Sequence, residues 1–226
     1  MKRILCVSDH IDPLVYSSRV KDRFGDVDLV ISCGDLPMEY LGFIASSLNK
    51  PVAFVFGNHN LEKMHLFRRG MHPEHLEQRT LRHGLSEHHF GSTYVGWKSR
   101  KISDLLIAGL GGSMRYNTGD NQFTEGQMRR RIYRLLPRLL YNRLRHGRYL
   151  DILVTHAPPR GIHDRTDPCH LGFRCFIWFM KVFQPRYLLH GHIHLYDQNA
   201  PRVTRYMNTD VINVYDHYLL EMDDQQ

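Results

Sequence analysis

The stretch Tyr187-Leu188-Leu189-His190-Gly191-His192-Ile193-His194 carries two signals in eight residues. Its first half is an apolar run of strand length. Its second half is a glycine followed by imidazoles on alternate positions. Ligands of an open α/β sheet gather at the carboxyl ends of its strands, so a strand that runs out into such side chains is what an active site of that kind requires. His192 and His194 lie two apart, and an extended segment points both to one side, toward one metal ion or two adjacent ones. The same pattern recurs toward the N-terminus. The runs Arg3–Val7, Leu29–Cys33, Val52–Phe56 and Ile152–Thr155 end in Ser8-Asp9, Gly34-Asp35, Gly57-Asn58-His59 and His156. Glycine before Asp35 and Asn58 suits a sharp exit of the backbone from a strand.

Two further apolar runs, Leu105–Leu110 and Val211–Tyr215, complete a set of strands buried on both faces. Helical spacing falls between them, over Val15–Phe24, Met38–Leu48, Glu125–Arg145 and Phe173–Phe183. This alternation predicts an α/β or layered α+β architecture. Residues 60–103 are the least regular part and read as loops with a weak hairpin around Gly91–Lys98; the histidines between His65 and His89 receive no role. Phe176, Trp178, Phe179 and Phe183 read as core. No repeat or linker divides the chain, so residues 1–226 are expected to form one domain.

The ordered set Asp9, Gly34-Asp35, Gly57-Asn58-His59, Thr155-His156 and Gly191-His192-x-His194 resembles the calcineurin-like metallophosphoesterases, from Met1 to about Val214. The resemblance implies a four-layer α/β/β/α sandwich. It also implies two divalent ions, with Asp9, Asp35 and His194 around the first and Asn58, His156 and His192 completing the second. A carboxylate bridges two ions where a neutral imidazole does not, which makes Asp35 the shared ligand. Mixed His, Asp and Asn donors suit Mn, Fe or Zn. Two such ions roughly 3.5–4 Å apart activate a water and clamp phosphate oxygens. The implied reaction is hydrolysis of a phosphomonoester or phosphodiester by in-line attack of a metal-bound hydroxide. His59 is the implied catalytic residue, facing the leaving group.

The sequence departs from the family pattern at one point. The usual Asp-x-His reads Asp9-His10-Ile11, so Ile11 stands where the imidazole belongs and His10 is one residue early. The first ion is therefore expected to bind more weakly than the second. This departure motivates an alternative, a weakly active or inactive binding module that keeps the fold.

The chain has 226 residues, 42% hydrophobic and 23% charged, with a formal charge of +7 and 16 His. These values exclude a disordered or fibrous chain, and an acidic partner such as a phosphorylated substrate fits the charge. The four cysteines form no CxxC pair, and the apolar stretch Ile4–Val7 is too short for a signal peptide; a cytoplasmic location is expected. Residues 127–148 hold eight Arg and no acid, with Ile132, Leu135, Leu136, Leu139, Leu140 and Leu144 at helical spacing and Pro137 expected to kink or divide the helix. The bland reading is a docked surface helix. The sharper one is weak peripheral contact with anionic membrane by a lipid-phosphate hydrolase. No nucleic-acid recognition motif is present, and no oligomeric state is assigned. Arg115, Asp164 and His170 complete the candidates, as residues that touch substrate.

Overall fold

The computed structural model describes residues 1–67, 88–197 and 200–223. The first sheet contains β1 (Lys2–Ser8), β2 (Leu29–Ser32), β3 (Val52–Phe54), β4 (His88–His89), β5 (Ser92–Tyr94) and β14 (Asp216–Met222), ordered β14-β1-β2-β3-β5-β4. The second contains β6 (Ser99–Ile102), β7 (Leu105–Leu110), β10 (Ile152–Thr155), β11 (Tyr187–His190), β12 (Val203–Tyr206) and β13 (Thr209–Asn213), ordered β12-β13-β11-β10-β7-β6. A short pair, β8 (Ser113–Met114) and β9 (Gln122–Phe123), stands apart. Each large sheet has four parallel strands with one antiparallel strand on either edge.

The four-layer arrangement follows from the two-residue period of side chains along a strand. Ile4 and Cys6 of β1, Leu29 and Ile31 of β2, Ile107 of β7 and Ile152 and Val154 of β10 meet in a core between the sheets. Their neighbours Leu5, Val7 and Val30 face outward, toward α1 (Val20–Phe24) and α2 (Met38–Leu48). Leu106, Ala108, Leu153 and Leu188 face outward from the second sheet, toward α3 (Glu125–His146) and α4 (Arg174–Phe183). Strands covered on both faces must be apolar throughout, hence the continuous runs in the sequence.

The predicted helix over Val15–Phe24 shrinks to Val20–Phe24. Asp12 accepts from Leu14 N at 2.7 Å and Ser17 Oγ bonds Leu14 O, and these local bonds hold a turn in place of helix. The hairpin expected around Gly91–Lys98 lies earlier: β4 and β5 turn at Phe90-Gly91, and Ser99–Ile102 joins the other sheet as β6. Pro137 does not divide α3, which runs unbroken from a Thr124–Gln127 capping box to Gly147. Tyr133 and Pro137 both lie on the solvent side, which leaves the carbonyl that proline deprives of a donor on the face open to water. Trp178 is half-exposed rather than core, and Leu140 and Leu144 point to solvent, away from the buried Ile132, Leu135 and Leu139. His72, His75 and His83 lie outside the described residues. Among the described residues, no helix is long and apolar enough to cross a membrane.

Candidate metal centre

The parallel strands of both sheets deliver their carboxyl ends to one edge of the sandwich, and the predicted ligands meet there. β1 leads to Asp9, β2 to Asp35, the segment after β3 to Asn58, β10 to His156, and β11 to His192 and His194. Asp9, Asp35 and His192 have left-handed backbones, with φ of 66°, 56° and 67°. Such conformations cost non-glycine residues about 1–3 kcal/mol each and concentrate where the surroundings overdetermine the chain. Here they turn each side chain back across the sheet edge. His192 and His194 are therefore not on one extended segment, as the two-residue spacing suggested.

Asp35, His156 and His192 offer donor atoms that all lie within 4.8 Å of one another, and all three residues are buried. His156 Nε2 stands 3.2 Å from Asp35 Oδ2 and 3.1 Å from Asn58 Oδ1. His156 Nδ1 donates to Cys33 O at 2.9 Å, which leaves Nε2 as the free donor atom. His192 Nε2 donates to Cys169 O at 2.7 Å, which leaves Nδ1. A backbone carbonyl that fixes the tautomer of a histidine ligand is the usual support of a metal site. Asn58 is held in turn by Tyr116, whose hydroxyl accepts from Nδ2 at 3.2 Å. His59 N donates to Asp35 Oδ1 at 2.7 Å, and its side chain is exposed beside that carboxylate.

The glycines in these motifs leave room for the donors. A Cβ on Gly57 would collide with Asp35 Oδ1 and His156, and one on Gly191 with Ser8 Oγ and Asp9 Oδ2. The donors sit directly on the backbone of neighbouring motifs, in a cradle that a side chain would fill. Two imidazoles, a carboxylate and an amide oxygen, each with its other atoms already bonded, fit a divalent transition metal ion.

The Asp9 end is looser. Both Asp9 oxygens accept from His192 N, at 3.0 and 2.9 Å. His194 Nε2 is 3.9 Å from Asp9 Oδ1, and its Nδ1 bonds the Tyr196 hydroxyl at 2.8 Å. Ile11 is exposed, and His10 turns outward to Asp216 Oδ1 at 2.8 Å. No imidazole from the first motif reaches Asp9.

The electrostatics match a site built to exchange protons for metal. Burial works to raise the Asp35 pKa, but His156 and the bond from His59 N outweigh it and hold the carboxyl at about 2. Burial works against charge on His156, yet Asp35 and Asp9 raise its pKa to about 9. Burial and the neighbouring His156 push His192 down to about 3. Burial, with the Asp35 charge adding to it, raises Asp9. Asp35 is thus a carboxylate facing a His156 imidazolium, and a divalent ion held by these residues would take the place of that proton.

The candidates for substrate contact are spread more widely. His170 lies at the mouth, its ring 5.5 Å from that of His192 and its Nδ1 2.8 Å from Asp167 Oδ1. Asp164 accepts from Gly161 N at 2.8 Å and Gly172 N at 3.0 Å, tying its own loop together. The Arg115 guanidinium reaches Gln122 O and Gln127 Oε1 near the start of α3, and it is the adjacent Tyr116 that contacts the donor set. Of the pair Arg115-Tyr116 only Arg115 is among the candidates from the sequence, and Asn60, whose side chain donates to Asp35 O at 3.0 Å, is not among them. Asn60 follows Gly57-Asn58-His59 directly, and Tyr116 follows a glycine turn, so position was the only signal for either.

Two solved structures share this fold. One, with 13% identity and a TM-score of 0.60, covers 95% of this chain and 91% of its own. The other, the crystal structure of TT1561 of Thermus thermophilus, has 14% identity and a TM-score of 0.57, covering 95% and 89%. No curated protein is similar to the chain at a significant level. The family model of calcineurin-like phosphoesterases matches residues 2–196, a span that takes in every donor described above. The chain belongs to the calcineurin-like phosphoesterase family.

Proposed function

We propose that the chain hydrolyses a phosphomonoester or phosphodiester with divalent Mn, Fe or Zn, one ion held firmly by Asp35, Asn58, His156 and His192 and a second held weakly by Asp9, Asp35 and His194. The observation that carries this reading is the buried meeting of Asp35, Asn58 and His156, at 3.1–3.2 Å, at the carboxyl edge of both sheets. Ions bound there supply Lewis acidity toward phosphoryl oxygens and lower the pKa of water. Asp35 has two oxygens and an ionised carboxyl, the requirements for a shared ligand. Cys33 O and Cys169 O keep the two imidazoles turned toward it. His59, exposed beside Asp35, is available to protonate the departing oxygen. We assign the protein to the cytoplasm, a reading supported by four free cysteines, three of them buried.

A second reading, a module that binds phosphorylated partners with little or no turnover, draws on one observation: Ile11 and the outward His10 leave Asp9 short of a ligand. Hydrolysis of a chromogenic phosphomonoester and phosphodiester by the Mn-loaded chain separates the two. Turnover that is lost in Asp35→Asn and His156→Ala is the expected result. Mn-loaded wild type that cleaves neither ester supports the binding module.

A further inference from the structure

Helix α3 has two apolar faces. The first, with Ile132, Leu135 and Leu139, is buried against the second sheet. The second lies opposite, where Tyr133, Leu140, Tyr141 and Leu144 fall within an arc of about 100° at 3.6 residues per turn. Leu144 is 89% exposed and Leu140 53%. Arg134, Arg138 and Arg145 border this stripe on one side and Arg129 on the other, all exposed. The stripe continues onto α4: the Tyr133 and Trp178 rings meet edge to face at 6.1 Å, and Trp178 and Val182 are themselves half-exposed. The one acid in α3, Glu125, is occupied, its carboxylate accepting from Arg174 N and Cys175 N.

We propose that this outer α3–α4 face docks on an anionic lipid surface. Exposed apolar residues gathered in one stripe mark a surface that a partner covers, and the charge around these selects the cover. A second copy of the chain would set arginine against arginine. A nucleic acid would satisfy the arginines and leave Leu140 and Leu144 in water. A lipid interface satisfies both: leucines enter the acyl boundary, tyrosine and tryptophan rings sit at headgroup level, and guanidiniums meet phosphates. One anchor of this kind gives reversible binding.

The test uses the full chain, without metal or substrate, so it stands apart from the hydrolytic reading. Co-sedimentation is measured with phosphatidylcholine vesicles and with vesicles containing phosphatidylglycerol. The expected result is binding to the second only, weakened by added salt. Leu140→Ser with Leu144→Ser, and separately Arg134→Glu with Arg138→Glu, are each expected to cut binding about tenfold or more. All four positions are exposed, so thermal unfolding by circular dichroism should match wild type. Equal binding to both vesicles, binding to neither, or variants that bind as wild type would overturn the proposal. So would a dimer that dissociates on Leu144→Ser, or selective retention of an oligonucleotide in place of vesicles.

Discussion

The two halves of the candidate metal centre are built from the same kind of part and differ in how well the protein holds them. Around Asp35 the donors are buried, converge within 4.8 Å, and have their remaining atoms bonded to Cys33 O, Cys169 O, Tyr116 and His59 N. Around Asp9 the carboxylate is engaged by His192 N, the nearest imidazole is 3.9 Å away, and the position that should add another ligand is an exposed isoleucine. The lesson is that a ligand's side chain is only part of a site. The backbone groups that fix its tautomer and orientation decide whether the donors are ready before the ion arrives.

Removing a donor from the Asp35 half should have the largest effect. His156→Ala is expected to lower metal affinity by more than about a hundredfold, since changing even a ligand's supporting partner costs roughly 10–100-fold; isothermal titration with Mn measures it. His194→Ala should cost far less in the same titration, and equal losses in the two variants would erase the distinction drawn here. Gly57→Ala comes next. Its Cβ would drive into Asp35 Oδ1 and His156, so it should weaken metal binding and cost about 1–3 kcal/mol of stability, the usual scale of overpacking. Urea unfolding of the ion-free protein checks the second part.

A smaller effect is expected from Tyr116→Phe, which takes away the acceptor of Asn58 Nδ2 and leaves the donor oxygen in place. Mn affinity should fall about tenfold, the low end for a supporting partner, with the unfolding midpoint near wild type.

Much of this was legible because strands buried on both faces announce themselves. The runs at Leu105–Leu110, Ile152–Thr155 and Tyr187–His190 became β7, β10 and β11 with those boundaries. The edge strands did not announce themselves. β12 (Val203–Tyr206) and β14 (Asp216–Met222) are half in solvent, so their side chains mix charge and apolar character, and only pairing with β13 and β1 makes them strands. The donors were legible as residue types after strands. Their left-handed backbones at Asp9, Asp35 and His192 were not, because local preference disfavours them and only the tertiary frame imposes them. The α3 leucines misled for a related reason: Leu139 and Leu140 are both on a helical pattern, but one faces the sheet and the other water.

The smallest effect is on pH dependence. His163, half-buried, bonds His190 Nε2 at 2.9 Å and Thr204 Oγ1 at 2.8 Å, and burial lowers its pKa to about 4. The unfolded chain protonates it near 6.5. The folded state, holding it neutral, therefore loses stability as pH falls from 6.5 toward 4. Discounted for its partial exposure, the loss should be about 1 kcal/mol between about pH 7 and pH 5. His163→Gln should flatten that part of the urea-midpoint profile, and an unchanged profile would remove His163 as its source.

The most direct test of the contrast between the two halves is metal content per chain, on protein grown with Mn and purified without chelator, for wild type and Ile11→His. The expected result is about one retained ion in wild type and about two once an imidazole stands beside Asp9. Two firmly held ions in wild type, or no gain in Ile11→His, would contradict it.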